Sequence, residues 1–422
     1  METDWQLLRI NDERFREDFE ALSEFGKFGQ SGVNRPALSE AHLAARTWLR
    51  GKIQQAGLVF RQDGAGNHSA FLNCGPEDGP TVLMGSHLDS VPTGGRFDGT
   101  LGVLAALEVL RTVQEAHLRL PVNLEAIDFT DEEGTLVSFL GSFAFAGLLK
   151  PEDLSNPRGD PQALQEGLLR AGLSKAGILS AKRDIKTLAG YLELHIEQGS
   201  RLYDTGDPIG VVTDISGISF HRLIFIGRPD HAGSTPMDKR LDAALGASAF
   251  ILSLRELILA HYPDCFANVG SAHFQPGAFN IVPEKVTLAL ELRAAELPRF
   301  QQVREAILRL VKQEAGRFGL GFDVEFLGDR MPVETSPLAQ AAIRAAAVQL
   351  GLRTIDLVSF AGHDAQPIAA LCPTGMIFVP SVKGTSHSPD EFTPWLDCVN
   401  GANVLLQAAL RMASGLKKPI FR

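Results

Sequence analysis

Apolar residues recur at helical spacing through residues 37–60, ALSEAHLAARTWLRGKIQQAGLVF. Ser39 stands there as an N-cap, and Gly57 ends the periodicity before a β-branched and aromatic stretch. TVLMGSH, residues 81–87, is a short continuous apolar run of the kind that forms a buried strand. From Thr100, TLGVLAALEVLRTVQEA is apolar nearly all round and predicts a buried helix, and VNLEAIDFT (residues 122–130) returns to strand. Strand, helix and strand at this spacing predict a right-handed crossover in a mostly parallel sheet, whose ligands bind beyond the carboxyl ends of the strands.

A different rhythm runs from about Thr213 to Asp329. Strand ISFHRLIFIG precedes helix DAALGASAFILSLRELILAHY. Two strands then flank the turn QPGAFNIVPE, and helix RFQQVREAILRLVKQEAGRF and strand FDVEFLG close the segment. That order, βαββαβ, is the ferredoxin-like pattern. After Met331 the earlier rhythm resumes with helix SPLAQAAIRAAAVQLG, strands TIDLVSF and GMIFVPS, and helix DCVNGANVLLQAALRMAS. The expected organisation is an α/β domain formed by residues 1–212 and 330–422, interrupted by an α+β domain at 213–329.

At 422 residues the chain exceeds one ordinary core, which agrees with two domains. Its formal net charge of −10 would repel a phosphate backbone, so nucleic acid is not an expected partner. No apolar run was expected to reach the roughly 20 residues that cross a bilayer, and the start, METDWQLLRINDERF, lacks the basic-then-apolar order of a leader. The cysteines Cys74, Cys265, Cys372 and Cys398 form no Cys-x-x-Cys pair and read as ordinary thiols of a reducing compartment. The expectation is a cytoplasmic protein with no membrane partner.

Several strand ends terminate in His, Asp or Glu. In GSHLDS, His87 and Asp89 lie two apart and point to one side of an extended chain, so one can bind a metal while the other orients it. GGRFDG sets Asp98 among glycines, where it could equally cap the helix at Thr100. DEEG places Asp131, Glu132 and Glu133 together, which requires cations or solvation to offset their repulsion. In YLELHIEQG, Glu193, His195 and Glu197 share one face of a strand, as they also would in a half-buried strand with a solvated side. His387 lies in the loop KGTSHSPDEF, where a surface histidine is the ordinary reading. Each cluster alone has this bland explanation; together they form an imidazole and carboxylate set suited to zinc or manganese, with cobalt or nickel also accepted.

Taken in order, GSHLDSVPTGGRFDG, DEEG, LHIEQG, HAGSTPMDKRLDA, AGHDA and TSHSPDEF resemble the bacterial N-carbamoyl-L-amino acid hydrolases and allantoate amidohydrolases, relatives of the di-zinc aminoacylases and carboxypeptidases. The resemblance runs through nearly the whole chain. It implies a homodimeric di-metal peptidase-like α/β fold with an inserted dimerisation or lid domain. The implied activity cleaves the C–N bond of a small ureido or N-carbamoyl acid, releasing amino acid, ammonia and carbon dioxide. By the same resemblance His87 and His195 hold one ion, Glu133 and His387 hold the second, Asp98 bridges both, and Glu132 is the general acid/base. His231 would stabilise the oxyanion in the partner subunit's site, Asn280 and Arg293 would grip the substrate carboxylate, and Gln198, Gly362 and His363 would meet the carbamoyl end.

Three departures fall where substrate would lie. Phe360 stands where a small residue is usual, DEEGTLV lacks a following arginine, and Glu291 replaces the commoner aspartate. Added bulk near the carbamoyl pocket would then either favour a different side chain or exclude a branched substrate such as allantoate. The rival readings are an allantoate amidohydrolase, a dipeptidase or aminoacylase using the same metals, and a binding protein that has lost turnover.

Overall fold

The computed structural model describes residues 5–415. Residues 1–4 and 416–422, which include the first residues of METDWQLLRINDERF and the end of the expected outer domain, lie outside the described residues. The chain divides into two compact units. One takes the chain up to Thr213, Thr335–Leu357 and the chain from Gly362; the other takes Asp214–Glu334 and Val358–Ala361.

The sheet of the first unit runs, neighbour to neighbour, Ile209–Ile215, Thr374–Val379, Leu188–Ile196, Thr81–His87, Asn123–Phe129, His68–Leu72 and Val59–Gln62, and Val333–Glu334, assigned to the second unit, pairs with the end of Ile209–Ile215. Thr354–Ser359 also pairs with Ile209–Ile215. Only the four strands from Thr374–Val379 to Asn123–Phe129 are parallel neighbours; the flanking pairs are antiparallel. The sheet is therefore mixed, not mostly parallel. The strand expected after Gly57 is Val59–Gln62; its hairpin partner His68–Leu72 was not foreseen, and the turn between them is closed by the Asp63 carboxylate accepting from the Ala65 and Asn67 amides.

The central strands are buried on both faces, as parallel strands covered on both sides must be. Leu188–Ile196 is buried at every position, so the half-buried alternative for Glu193 and His195 does not hold. Helix Glu40–Gln55 starts at Ser39, whose side chain accepts from the His42 amide, as its sequence requires. Helix Thr100–Glu115 buries nearly every residue and shares one apolar cluster with Val82, Met84, Leu192, Ile377 and Leu405. Its all-round apolar character is explained by that position between the sheet and helix Trp395–Gly415.

The second unit has strands in the order Phe266–Gln275, Lys285–Ala294, Gly217–Ile226 and Gly321–Arg330, all antiparallel. Its two helices, Ala243–His261 and Leu297–Arg317, pack on the sheet through a core that includes Phe225, Phe250, Leu288, Phe300 and Ile307. Lys285–Ala294 alternates buried and less buried positions, the signature of a sheet covered on one face. One expectation is corrected here: Ala243–His261 is 19 residues long with a mean hydropathy of 1.7, long and apolar enough to cross a membrane by length and composition. Ala243, Gly246, Ala247, Phe250 and Leu254 are nevertheless buried in this unit, and 28% of the segment is buried in all. Val358–Ala361 joins the unit through the Ser216 amide bonded to the Ser359 carbonyl and through Phe360.

Candidate metal centre and active site

The strand Thr81–His87 ends on His87, Leu188–Ile196 carries His195 at its last turn inward, and the loop before helix Thr100–Glu115 supplies Asp98. These three converge. Asp98 Oδ1 lies 3.5 Å from His87 Nε2 and 3.2 Å from His195 Nε2. Asp98 Oδ2 is 3.6 Å from His387 Nε2, which is in turn 3.5 Å from Glu133 Oε2. His87, Asp98 and His195 make one possible cation cradle and Asp98, Glu133 and His387 a second, so Asp98 is common to both.

Close approach at this point depends on Gly99. Its φ is +63°, and a Cβ there would stand 2.4 Å from the His87 ring. Gly99 itself is the N-cap position, and Asp98 turns its carboxylate to the imidazoles instead of capping the helix. Asp131, Gln198 and His387 also have positive φ (56°, 57° and 54°), a conformation that L side chains adopt at some cost and that here falls on site loops. The Asp131 carboxylate accepts from the Leu136 and Val137 amides and the Thr135 hydroxyl, which fixes the turn carrying Glu132 and Glu133.

Hydrogen bonding decides which ring nitrogens face the cradle. His87 Nδ1 lies 2.9 Å from the Asp89 carbonyl and His195 Nδ1 lies 2.9 Å from the Ile196 carbonyl. A carbonyl only accepts, so each Nδ1 carries hydrogen and each neutral ring presents its Nε2 lone pair to Asp98. Two lone pairs and a carboxylate oxygen thus meet in a buried space, and His87 Nε2 and Asp98 Oδ1 have no hydrogen-bond partner there. Such an arrangement demands a positive charge at its centre. The donors fit a divalent cation bound by imidazole nitrogen and carboxylate oxygen.

The titration of the cluster points the same way. Burial alone would lower the His87 pKa, but the carboxylates of Glu132, Asp98 and Asp89 raise it well above the ordinary range. Burial would raise Asp98, yet His195 and His87 hold it well below the usual carboxylate range. Burial pushes Glu132 well above that range, with Asp364, Glu133 and Asp98 adding to it, and burial with Asp98 does the same to Glu133. Glu132 Oε2 is 3.5 Å from His87 Nε2 and belongs to neither cradle.

Asp89 plays a different part from the expected one. Its carboxylate is 3.9 Å from His87 Nδ1, and its oxygens accept instead from the Glu132 amide (3.3 Å) and the Glu133 amide (3.2 Å). Its backbone carbonyl orients His87, while its side chain orients the acidic pair. Gln198 donates from Nε2 to Asp98 Oδ2 at 2.7 Å and stands 3.4 Å from His387 Nε2. Gly362 and His363 belong to the first unit, and the His363 ring meets the His195 ring edge-on at 4.6 Å. Burial and His195 hold His363 well below the ordinary histidine range. Glu193, His195 and His363 form a further possible group, but Glu193 already accepts from Ser86, Tyr191 and the Ala365 amide.

His231, Asn280 and Arg293 all lie in the second unit. His231 pairs its backbone with Ile281, and the Ala232 amide donates to the Asn280 carbonyl, so these two loops adjoin. His231 Nδ1 accepts from the Gly233 and Ser234 amides at 3.1 Å each, which leaves Nε2–H as the donor of the neutral ring. Arg293 Nε donates to Glu291 Oε1 at 2.6 Å and Nη1 donates to the Phe360 carbonyl. The Phe360 ring lies edge-on against Phe266 with centroids 4.6 Å apart. Two of the three departures, Glu291 and Phe360, therefore converge on Arg293 inside this unit.

Sequence reasoning passed over Asp364, Ser386 and Glu391. Asp364 is fully buried and pushed well above the carboxylate range by burial and by Glu193. Ser386 donates to Asp98 Oδ2 at 3.0 Å. Their signal lies in AGHDA and TSHSPDEF, segments that the resemblance reads only for Gly362, His363 and His387.

Residues 83–411 match the model of Peptidase family M20/M25/M40. The chain belongs to this family. Enzymes of the M20 family use divalent metals. This M20 chain is 37% identical over 408 residues to an N-carbamoyl-L-amino acid amidohydrolase of Geobacillus stearothermophilus, covering 96% of this chain and 100% of that one. It is 30% identical over 400 residues to an allantoate amidohydrolase of Bacillus subtilis (strain 168), covering 93% and 96%. Among solved structures, an amidase of the hydantoinase/carbamoylase family from Burkholderia multivorans superposes with a TM-score of 0.87 at 34% identity, covering 96% of this chain and 98% of that chain.

Proposed function

We propose that this M20 chain hydrolyses the C–N bond of N-carbamoyl-L-amino acids, giving the amino acid, ammonia and carbon dioxide. The observation that carries the reading is the pair of cradles sharing Asp98, with Glu132 beside them and outside both. The 37% identity to the Geobacillus enzyme along nearly its whole length supports the substrate class. We assign His87, His195 and Asp98 to one divalent ion and Asp98, Glu133 and His387 to the other, zinc or manganese by donor type, with cobalt or nickel acceptable. When bound, such a pair lowers the pKa of a water and offsets negative charge at the carbonyl under attack.

The chain's own groups complete the reaction. Glu132 takes a proton from the attacking water and returns it to the departing nitrogen, which would otherwise leave as a strong base. Asp89 holds the Glu132 and Glu133 amides and so fixes which carboxylate serves as ligand and which as proton carrier. Gln198 and the Gly362–His363 turn meet the carbamoyl end. His231, with its donor nitrogen set by two backbone amides, steadies the oxyanion from a partner subunit, and Asn280 and Arg293 hold the substrate carboxylate.

A homodimer built on the inserted domain, which we place at 213–329, is supported by the outward apolar face of Ala243–His261: Leu245, Ile251, Leu252 and Leu259 are 40%, 39%, 68% and 57% exposed. Molar mass in solution tests this, and a monomer at assay concentration refutes it. A cytoplasmic location agrees with four unpaired cysteines.

The deciding experiment is ammonia release from a panel of N-carbamoyl amino acids, allantoate, acylated amino acids and dipeptides. Turnover confined to N-carbamoyl-L-amino acids is expected; preference for allantoate or for peptides overturns the assignment. Arg293 supplies a further test. Because Glu291 already occupies its Nε edge, Glu291→Gln is expected to lower KM for an N-carbamoyl acid about two- to fivefold with kcat little changed, the scale of a partly exposed ion pair. Unaltered or raised KM would show that the internal pair does not compete with substrate.

A further inference from the structure

We propose that Glu391 is a positioning residue for the second cation site, tying the Asp98 loop to the His387 loop. This rests on the two-cation reading of the site. Glu391 is 3% exposed, and its Oε1 accepts from the Phe97 amide at 2.9 Å and the Asp98 amide at 3.1 Å. Its Oε2 accepts from Ser386 Oγ at 3.0 Å, and the same hydroxyl lies 3.0 Å from Asp98 Oδ2. One carboxylate therefore grips the backbone of the shared ligand and reaches its side chain through the residue that precedes His387.

The backbone is shaped around this side chain. Gly95 leaves the space, since a Cβ there would stand 2.1 Å from Glu391 Oε1. The far end of the loop is pinned by the Val382 amide on the Phe392 carbonyl and by Thr393 Oγ1 on the Pro380 carbonyl. His387 needs such support more than the other ligands do. Its side chain is 51% exposed, whereas those of His87 and His195 are 1% and 2% exposed with Nδ1 of each against a backbone carbonyl. His387 has positive φ, and its ring meets Gln198 at 3.4 Å, Glu133 at 3.5 Å and Asp98 at 3.6 Å only through Nε2, with no backbone carbonyl against Nδ1 among the described residues, so its direction is set by the loop that Glu391 anchors. A group that orients a ligand in this way typically accounts for ten- to a hundredfold in metal affinity.

The hydroxyl chemistry separates this role from mere packing. Ser386 has one hydrogen and faces two carboxylate oxygens. In Glu391→Gln the amide oxygen can still accept from the Phe97 and Asp98 amides, and the new NH2 can donate to Ser386 Oγ, which then gives its hydrogen to Asp98. The conservative variant should therefore restore what alanine loses.

The test is calorimetric titration of the metal-free full chain with Zn2+ or Mn2+, with His387→Ala as the reference for the site that remains when the second is removed. Wild type is expected to take two ions. In Glu391→Ala, the ion held at the first cradle should keep its affinity within about threefold, while the other weakens about ten- to a hundredfold. Glu391→Gln should stay within about threefold of wild type at both sites, and Ser386→Ala, which keeps the backbone anchor, should weaken the second site several-fold. The proposal is overturned if Glu391→Ala binds both ions as wild type does, if glutamine behaves like alanine, or if both sites weaken equally while the metal-free protein melts lower. A wild-type chain that binds fewer than two ions overturns the two-cation reading itself, which is a distinguishable result.

Discussion

Glu132→Gln is expected to leave two ions bound per chain and to reduce kcat by about 10²- to 10⁴-fold, the usual scale for losing a positioned general acid/base. Glutamine keeps the size and the backbone of glutamate, so the Asp89 carboxylate still receives the amide of residue 132. It cannot take up or release the transferred proton. Its neighbour gives the contrast. Glu133 Oε2 lies 3.5 Å from His387 Nε2 within the second cradle, so Glu133→Gln should lose an ion as well as activity. Metal analysis beside steady-state kinetics separates the two. Normal turnover by Glu132→Gln would remove the proton carrier from the scheme, and equal metal loss in both variants would show that the two carboxylates do not divide the work.

That division of labour was not readable in the sequence, although the residues were. Three consecutive acids after an apolar strand announce a charged site, but which one points where depends on the positive φ of Asp131 and on the Asp89 carboxylate 42 residues earlier. Likewise the two-residue spacing of His87 and Asp89 correctly puts both at one strand end. It could not say that the carbonyl, not the carboxylate, of Asp89 meets the ring. Long-range contacts of this kind have no local pattern. Periodicity served well where burial repeats, as in the buried helix Thr100–Glu115 and the fully buried strand Thr81–His87. It found a strand after Gly57 but not its partner His68–Leu72, whose antiparallel pairing on both sides helps turn the expected mostly parallel sheet into a mixed one. Arg255 and Glu256 interrupt the apolar run of Ala243–His261 while leaving its mean hydropathy high.

Removing the metals should abolish activity and lower thermal stability by an amount that grows from pH 5 to pH 8. In the metal-free protein Glu132, Glu133, Asp364, His87 and His195 all have folded pKa values above their ordinary ones, and Glu391 is pushed up to about 7 by burial and by Asp98. A group raised in this way contributes stability that is fully present below its unfolded pKa, about 4 for the acids and 6.5 for the imidazoles, and is lost as pH rises through the folded value. Asp98 runs oppositely, but its lowered pKa costs stability only as pH falls below the carboxylate range. Asp131, pushed up to about 7 by burial and Asp89, and Glu193, raised by burial, run with these six, while His363, held low by burial and His195, runs against them below pH 6.5. Around the site the groups that lose stability as pH rises outnumber those that gain it, so the metal-free protein weakens toward pH 8. Bound cations supply the positive charge that protons supply in their absence, and their uptake releases protons, so the loaded protein should lack most of this slope. With free ion at about a thousand times its Kd, the gain is on the order of 4 kcal/mol. Melting curves of chelator-stripped and reloaded protein at pH 5, 6.5 and 8 check the claim, with ammonia release measured alongside. A metal-dependent increment that is flat, or that shrinks as pH rises, would mean that the imidazoles and carboxylates around Asp98 do not meet in one charge-seeking cavity.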